Sequence, residues 1–414
     1  MPRWSLFPLA LVIALLVAVV LPDGGGTPRE AQPAPTPTPR LIAEPAVHLR
    51  ALQRIATEHG GTRAAGSPGD AATIEYVEQH LRDAGYRVTV QAFAVPYFRE
   101  SSPPQLVAGG RRVRPIRTLQ FSGAGTATGL VRAAGLGCSA RDFAALRRGE
   151  IALLDRGTCF FRDKARNAAR AGAAAVLVVD QEERPVAASL QLPGIRIPVL
   201  GVGSRAGDGL EGRRATVTVD ADSGRRETAN VVAESGPEDA RRVVMAGGHL
   251  DSVTAGPGLN DNGSGVAALL YVADRVVERD LPLRFAFWGA EEIGLVGSRR
   301  YVRRLDAAKR RRIAAYINLD MVGSPGAEHE VYDGAPRIAA ALRRGGLGPG
   351  TGEVTLDDNS DHAPFEDAGI PVGGIFTGID DCYHQRCDTF RNVDREVLAG
   401  SALATERALV ELAG

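Results

Sequence analysis

Arg242-Val243-Val244-Met245-Ala246-Gly247-Gly248-His249-Leu250-Asp251-Ser252 decides the fold. Its apolar run has no polar alternation, which marks a strand buried on both faces. It gives out at a histidine. The same arrangement recurs downstream. Leu283-Arg284-Phe285-Ala286-Phe287-Trp288 leads to Glu291-Glu292, and Ile313-Ala314-Ala315-Tyr316-Ile317-Asn318-Leu319 leads to Asp320. Ile370-Pro371-Val372-Gly373-Gly374-Ile375-Phe376 precedes a short loop and His384, and Asp261 stands just ahead of the helical pattern from Gly263 to Glu278. Strand and helix alternate in this way to a last helix near Asp394 to Leu412, predicting an α/β fold with a mostly parallel sheet. In such sheets the ligand crevice lies beyond the carboxyl ends of the strands. His249, Asp261, Glu292, Asp320 and His384 would converge there. Two imidazoles and three carboxylates suit two zinc ions that share one carboxylate, and with them metal-assisted hydrolysis.

Outward from this half, Asp70 opens a helical pattern with apolar residues at Ala71, Ile74, Val77, Leu81 and Ala84. Gly85 is placed to end it, and Tyr86 to Val95 reads as a strand. Residues near 119–221 carry a pattern of their own. Short apolar strands lie at 129–131, 151–154, 174–179 and 197–200, with Ala-rich helices between them. No ligand-type cluster appears in that stretch.

The chain begins differently. Arg3 precedes an apolar run from Leu6 to Leu21, broken only by Pro8. A secretory core of roughly 7–15 residues and a spanning helix of about 20 bracket this length, so 1–22 reads as a signal peptide or membrane anchor. Residues 23–43 follow as a Pro/Gly-rich linker, including Ala34-Pro35-Thr36-Pro37-Thr38-Pro39. The expected localisation is secreted or anchored at the cell surface, with a membrane contact only if the N-terminal segment is uncleaved. Four cysteines in an exported chain suggest two disulfides with three connectivities. Cys382–Cys387, closing a loop around Tyr383 and His384, and Cys138–Cys159 are the favoured pairs. Lys+Arg 49 against Asp+Glu 49, with no long run of one sign, gives no footprint for nucleic acid.

Five local phrases carry a resemblance: His249-Leu250-Asp251-Ser252, Asn260 to Gly265, Trp288 to Ser298, Asn318 to Gly323 and Cys382-Tyr383-His384. Together they resemble the M28 family of di-zinc aminopeptidases, and its secreted bacterial members above all. Gly66-Ser67-Pro68-Gly69 and Gly85 to Val88 fit that family's start. Arg156 to Phe161 and Lys164 to Ala173 resemble the protease-associated (PA) domain, a common insert in the family. The resemblance implies the zinc-exopeptidase fold, a mostly parallel twisted sheet with helices on both faces. The peptidase domain would comprise 44–118 and 222–414, with a smaller α/β PA domain inserted at 119–221. It implies two Zn2+ per chain, with His249 and Asp320 on one ion, Glu292 and His384 on the other, and Asp261 bridging. It also implies a non-proline cis peptide at Asp261-Asn262.

Three further residues have roles in this picture. Glu291, beside a ligand, would be the general base. Asp251 would accept the other ring N–H of His249 and fix its orientation. Tyr383 would donate to the developing oxyanion, or is a buried structural phenol. The expected activity is removal of N-terminal residues from peptides with a free N-terminus by a monomer. A carboxypeptidase or dipeptidase on the same scaffold stays open, as does an inactive binding ectodomain. Asp357, Asp358 and Asp361 are candidates for a substrate ammonium. His48, His59 and His80 read as ordinary, and His362 stands outside the ligand set.

Overall fold

The computed structural model describes residues 44–355 and 357–414; the N-terminal apolar run and the linker lie outside the described residues. Among those described, no helix is long and apolar enough to cross a membrane. The Val243–His249 strand lies at the centre of the catalytic sheet. It pairs in parallel with Leu283–Trp288 on one side and Ile313–Leu319 on the other. Val372–Phe376 extends the parallel set, and short strands Glu330–Tyr332 and Gly352–Val354 end it. The antiparallel Arg214–Glu234 strand borders Leu283–Trp288 at the other side.

The apolar runs are explained by cover on both faces. Val244 and Ala246 enter one core, with Leu49, Leu52, Val266, Leu269, Leu398 and Leu409 from three helices. Val243 and Met245 point into the opposite core, with Tyr301, Val302 and Phe365. Leu283, Phe285 and Phe287 follow the first pattern, Ala286 and Trp288 the second. A strand buried on both faces cannot alternate with polar residues, so each run is continuous in sequence.

The helix expected from Asp70 spans Pro68–Asp83, with the Ser67 side chain accepting from the Asp70 amide and Gly85 at φ 94° beyond its end. The strand after it runs well past Val95, as Arg87–Ala108. Turn-forming residues after Val95 suggested an end, but the chain absorbs them. Pro96 pairs in register with Arg225, and bulges between Glu100 and Gln105 take up Ser101, Pro103 and Pro104. Irregular ladder positions are where strands tolerate proline.

Arg87–Ala108 and Arg214–Glu234 form a long antiparallel ribbon that leaves the catalytic sheet and enters a second one. There Gly125–Ala133, Ile151–Asp155, Ala175–Val179 and Val199–Val202 pair in parallel, and Ile116–Thr118 closes the edge. This sheet has separate cores on its two faces. Leu106 and Ala108 of the ribbon pack into one of them with Val217 and Val219. Disulfides join Cys138 to Cys159 and Cys382 to Cys387.

Candidate metal centre

Residues from four strand ends meet at one place. His249 closes its strand, and its Nε2 lies 3.2 Å from Asp261 Oδ1 and 3.4 Å from Asp320 Oδ1. His384 Nε2 lies 3.1 Å from Asp261 Oδ2 and 3.1 Å from Glu292 Oε2. Two sets of three potential ligands result, His249–Asp261–Asp320 and Asp261–Glu292–His384, each with its ligand atoms within 4.8 Å of one another. Asp261 belongs to both, offering one oxygen to each side. The sequence-expected five are thus all brought together.

The donor atoms fit cations. His249 Nε2, Asp320 Oδ1 and Glu292 Oε1 are buried and have no hydrogen-bond partner among the described residues. Buried polar atoms left bare are costly, and two imidazoles among carboxylates form a donor set suited to zinc. Acidic crowding raises the same point. Burial pushes the Glu291 carboxyl up, partly opposed by His249, while Asp361, Asp320 and Glu292 add to the rise. Burial likewise pushes Glu292 up to about 7. Hydrogen bonds to Asp261 and Glu292 push His384 up to about 10. A divalent ion supplies the positive charge that such a cluster needs.

Local structure fixes each group. The Asp261-Asn262 peptide is cis. The Asn262 side chain accepts from the Gly265 amide at 2.9 Å and donates to Leu319 O at 2.8 Å, fastening the helix start to the strand that carries Asp320. Glu291 and Glu292 sit on a tight turn after Ala290, which has φ 61°. That turn folds against the helix Val296–Arg303. A Cβ on Gly297 would stand 2.2 Å from Asn230 Oδ1 and 2.4 Å from Gly289 O, so only glycine fits.

Asp251 differs in detail from expectation. The nearer partner of His249 Nδ1 is the Asp251 carbonyl, at 3.1 Å, with the carboxylate at 3.7 Å. The carboxylate oxygens instead accept the Glu291 and Glu292 amides, at 3.0 and 3.3 Å. Asp251 therefore ties the first strand end to the Glu291-Glu292 turn. Tyr383 stacks on His384 at 3.8 Å between centroids. Burial pushes its phenol above the usual range. Glu291, Glu292, Asp320, Tyr383 and His384 line one cleft of about 550 Å³, with Asp358, Arg299 and the apolar Leu295, Met321, Phe376 and Ile379. Asp361 is fully buried and Asp357 is exposed, so of the three ammonium candidates Asp358 is the one that lines the cleft. His362 packs against Tyr332 and belongs to neither ligand set.

The sequence reading passed over three supporting residues. Ser360 donates to Asp320 Oδ2 at 2.6 Å and ends a buried relay from Trp288 through Tyr316 and Asn318. Asp388 accepts the amides of Asn260 and Asp261 at 2.7 and 3.0 Å. Arg63, fully buried, donates to the carbonyls of Leu250, Pro257 and Gly258 and holds the loop after His249.

The sequence model of peptidase family M28 matches 230–407, and that of the PA domain matches 126–210. An aminopeptidase of Pseudomonas aeruginosa is 35% identical, over 90% of this chain and 83% of its own length. The chain belongs to peptidase family M28. A probable lipoprotein aminopeptidase of Mycobacterium tuberculosis is 34% identical, over 89% of this chain and 85% of its own. The crystal structure of a zinc aminopeptidase from Bacillus subtilis superposes with a TM-score of 0.65 and 28% identity, covering 90% of the M28 chain and 96% of that structure. The PA domain lies in the sheet at the far end of the ribbon and supplies none of the clustered ligands.

Proposed function

We propose that this M28 peptidase is an exported aminopeptidase that uses two zinc ions. The observation that carries the reading is the pair of three-ligand clusters sharing Asp261. His249 and Asp320 would hold one ion, Glu292 and His384 the other, and Asp261 would bridge them. Zinc bound there would supply Lewis acidity and an acidified water. The protein's own groups do the rest. Glu291 Oε2 lies 3.9 Å from His249 Nε2, beside the cluster, and would take a proton from the attacking water and return it to the leaving amine. Tyr383, lining the same cleft, would donate to the oxygen that gains charge. Asp251 would position Glu291 through its amide.

Specificity for the N-terminus has electrostatic support. Of the carboxylates that line the cleft, Asp261, Glu292 and Asp320 would be neutralised by the ions they hold, which leaves Glu291 and Asp358 to pair with a substrate ammonium. Leu295, Met321, Phe376 and Ile379 provide an apolar wall for the first side chain. The relatives' names agree with this activity. Two disulfides and the relative named as a lipoprotein support export. The proposed domain division, 44–118 with 222–414 and an insert at 119–221, places every proposed ligand in the peptidase part.

A panel of free and N-acetylated aminoacyl substrates tests the reading. Free substrates with apolar first residues should be cleaved and their acetylated forms should not. Activity that survives acetylation would contradict aminopeptidase action.

A further inference from the structure

Two histidines that read as ordinary in sequence meet on a third helix. His48 lies in the first turns of the helix Ala46–Glu58, His80 in the last turn of Pro68–Asp83, and Asp274 near the end of Gly263–Val276. One ligand atom from each lies within 4.8 Å of the others. His80 Nε2 is 2.9 Å from Asp274 Oδ1. The His48 and His80 rings stand nearly perpendicular, 4.8 Å between centroids.

Hydrogen bonding leaves this trio incomplete. His48 Nδ1 pairs with Tyr76 Oη at 2.7 Å. When that nitrogen carries the proton, the lone pair of His48 is on Nε2. His48 Nε2 and Asp274 Oδ2 are both buried without a hydrogen-bond partner among the described residues. His48 has no exposed surface, and Asp274 is 7% exposed. The phenol of Tyr86, another polar group near Asp274, is already engaged on Ala273 O at 2.7 Å. Leu49, Val77 and Leu81 of the same helices belong to the main core, and among the described residues no other group answers the bare atoms.

We infer that His48, His80 and Asp274 form a separate structural metal site that takes zinc in preference to calcium or magnesium. Two imidazoles and one carboxylate make three of four tetrahedral ligands. Bonds of about 2.0–2.1 Å put such ligands roughly 3.3 Å apart, near the His80–Asp274 spacing. Imidazole nitrogens disfavour calcium and magnesium, which prefer oxygen. His80 is 21% exposed at its side chain, which opens the trio to water for the fourth position. The site takes no part in turnover, because the eleven helical steps from Gly263 to Asp274 span roughly 16 Å. It pins both N-terminal helices to the helix that starts beside Asp261.

The test is zinc content of the intact enzyme after exhaustive dialysis, comparing the parent with His80→Ala. The variant should lose one equivalent, keep kcat/KM within about twofold, and melt at a lower temperature. Equal zinc in parent and variant would overturn the site. If His80→Ala is insoluble, His80→Gln preserves bulk and must show the same loss. Asp261→Ala separates this inference from the catalytic reading: it should retain one equivalent, and that remaining ion should vanish when His80→Ala is added. In the cobalt-loaded Asp261→Ala protein, tetrahedral d–d absorption should be present and should depend on His80; its absence would also overturn the site.

Discussion

Asp388→Asn is expected to damage the metal centre more than the fold. Asp388 is buried, at 2% exposure, and its two oxygens take the Asn260 and Asp261 amides at 2.7 and 3.0 Å. An Asn side chain has one acceptor oxygen. Its NH2 would face the second amide, leaving a buried donor bare, at about 1–3 kcal/mol, and removing charge assistance from the other bond. A total near 2–3 kcal/mol is expected. At about 2.1 cal/mol/K per residue over 414 residues, each 1 kcal/mol moves the melting temperature by roughly 1 °C, so a shift of about 2–4 °C should follow. The consequence for Asp261 is larger. Its backbone would lose the contact that sets its direction, and supporting contacts of this kind are typically worth about 10–100-fold in metal affinity or activity. Competition with a graded zinc chelator, alongside kcat/KM at saturating zinc and a melting curve, measures all three. Unchanged zinc affinity and kcat/KM with the same small melting shift would refute the idea that Asp388 positions Asp261.

Glu291→Gln should leave the zinc content of the centre intact and reduce kcat by roughly 10²–10⁴-fold. Loss of metal in that variant would make Glu291 a ligand instead. Gly297→Ala should force the Glu291-Glu292 turn away from Asn230, with about 1–3 kcal/mol lost to overpacking and a fall in kcat; a crystal structure with the turn unmoved would contradict this. Replacing Cys382 and Cys387 with Ser should weaken the ion beside His384 and lower activity more than it lowers the melting temperature. The closed loop holds four residues, so its chain-entropy effect is small; equal zinc affinity in the variant would argue that the disulfide merely packs.

The parallel strands were legible because a strand covered on both faces must be apolar along its length, as in Val243 to Ala246 and Phe285 to Trp288. Four of the five clustered side chains were legible because each closes such a strand or lies on the loop that follows it, and Asp261 because it stands just ahead of the helix that starts at Gly263. The long ribbon was less so. Prolines at 96, 103 and 104 read as punctuation, yet register and bulges absorbed them. Asp388 and Arg63 were invisible because they act on backbone groups distant in sequence, and such contacts leave no periodicity. His48 and His80 belong to different helices and meet only because both pack on Gly263–Val276. No spacing rule could have joined them.

Anomalous scattering from crystals of the zinc-loaded enzyme, recorded at the zinc edge, tests the central claim most directly. Two peaks should flank the Asp261 carboxylate. One should lie about 2.0–2.2 Å from His249 and Asp320, and the other at the same distance from Glu292 and His384. A single peak in the cleft, or two that do not share Asp261, would contradict the account.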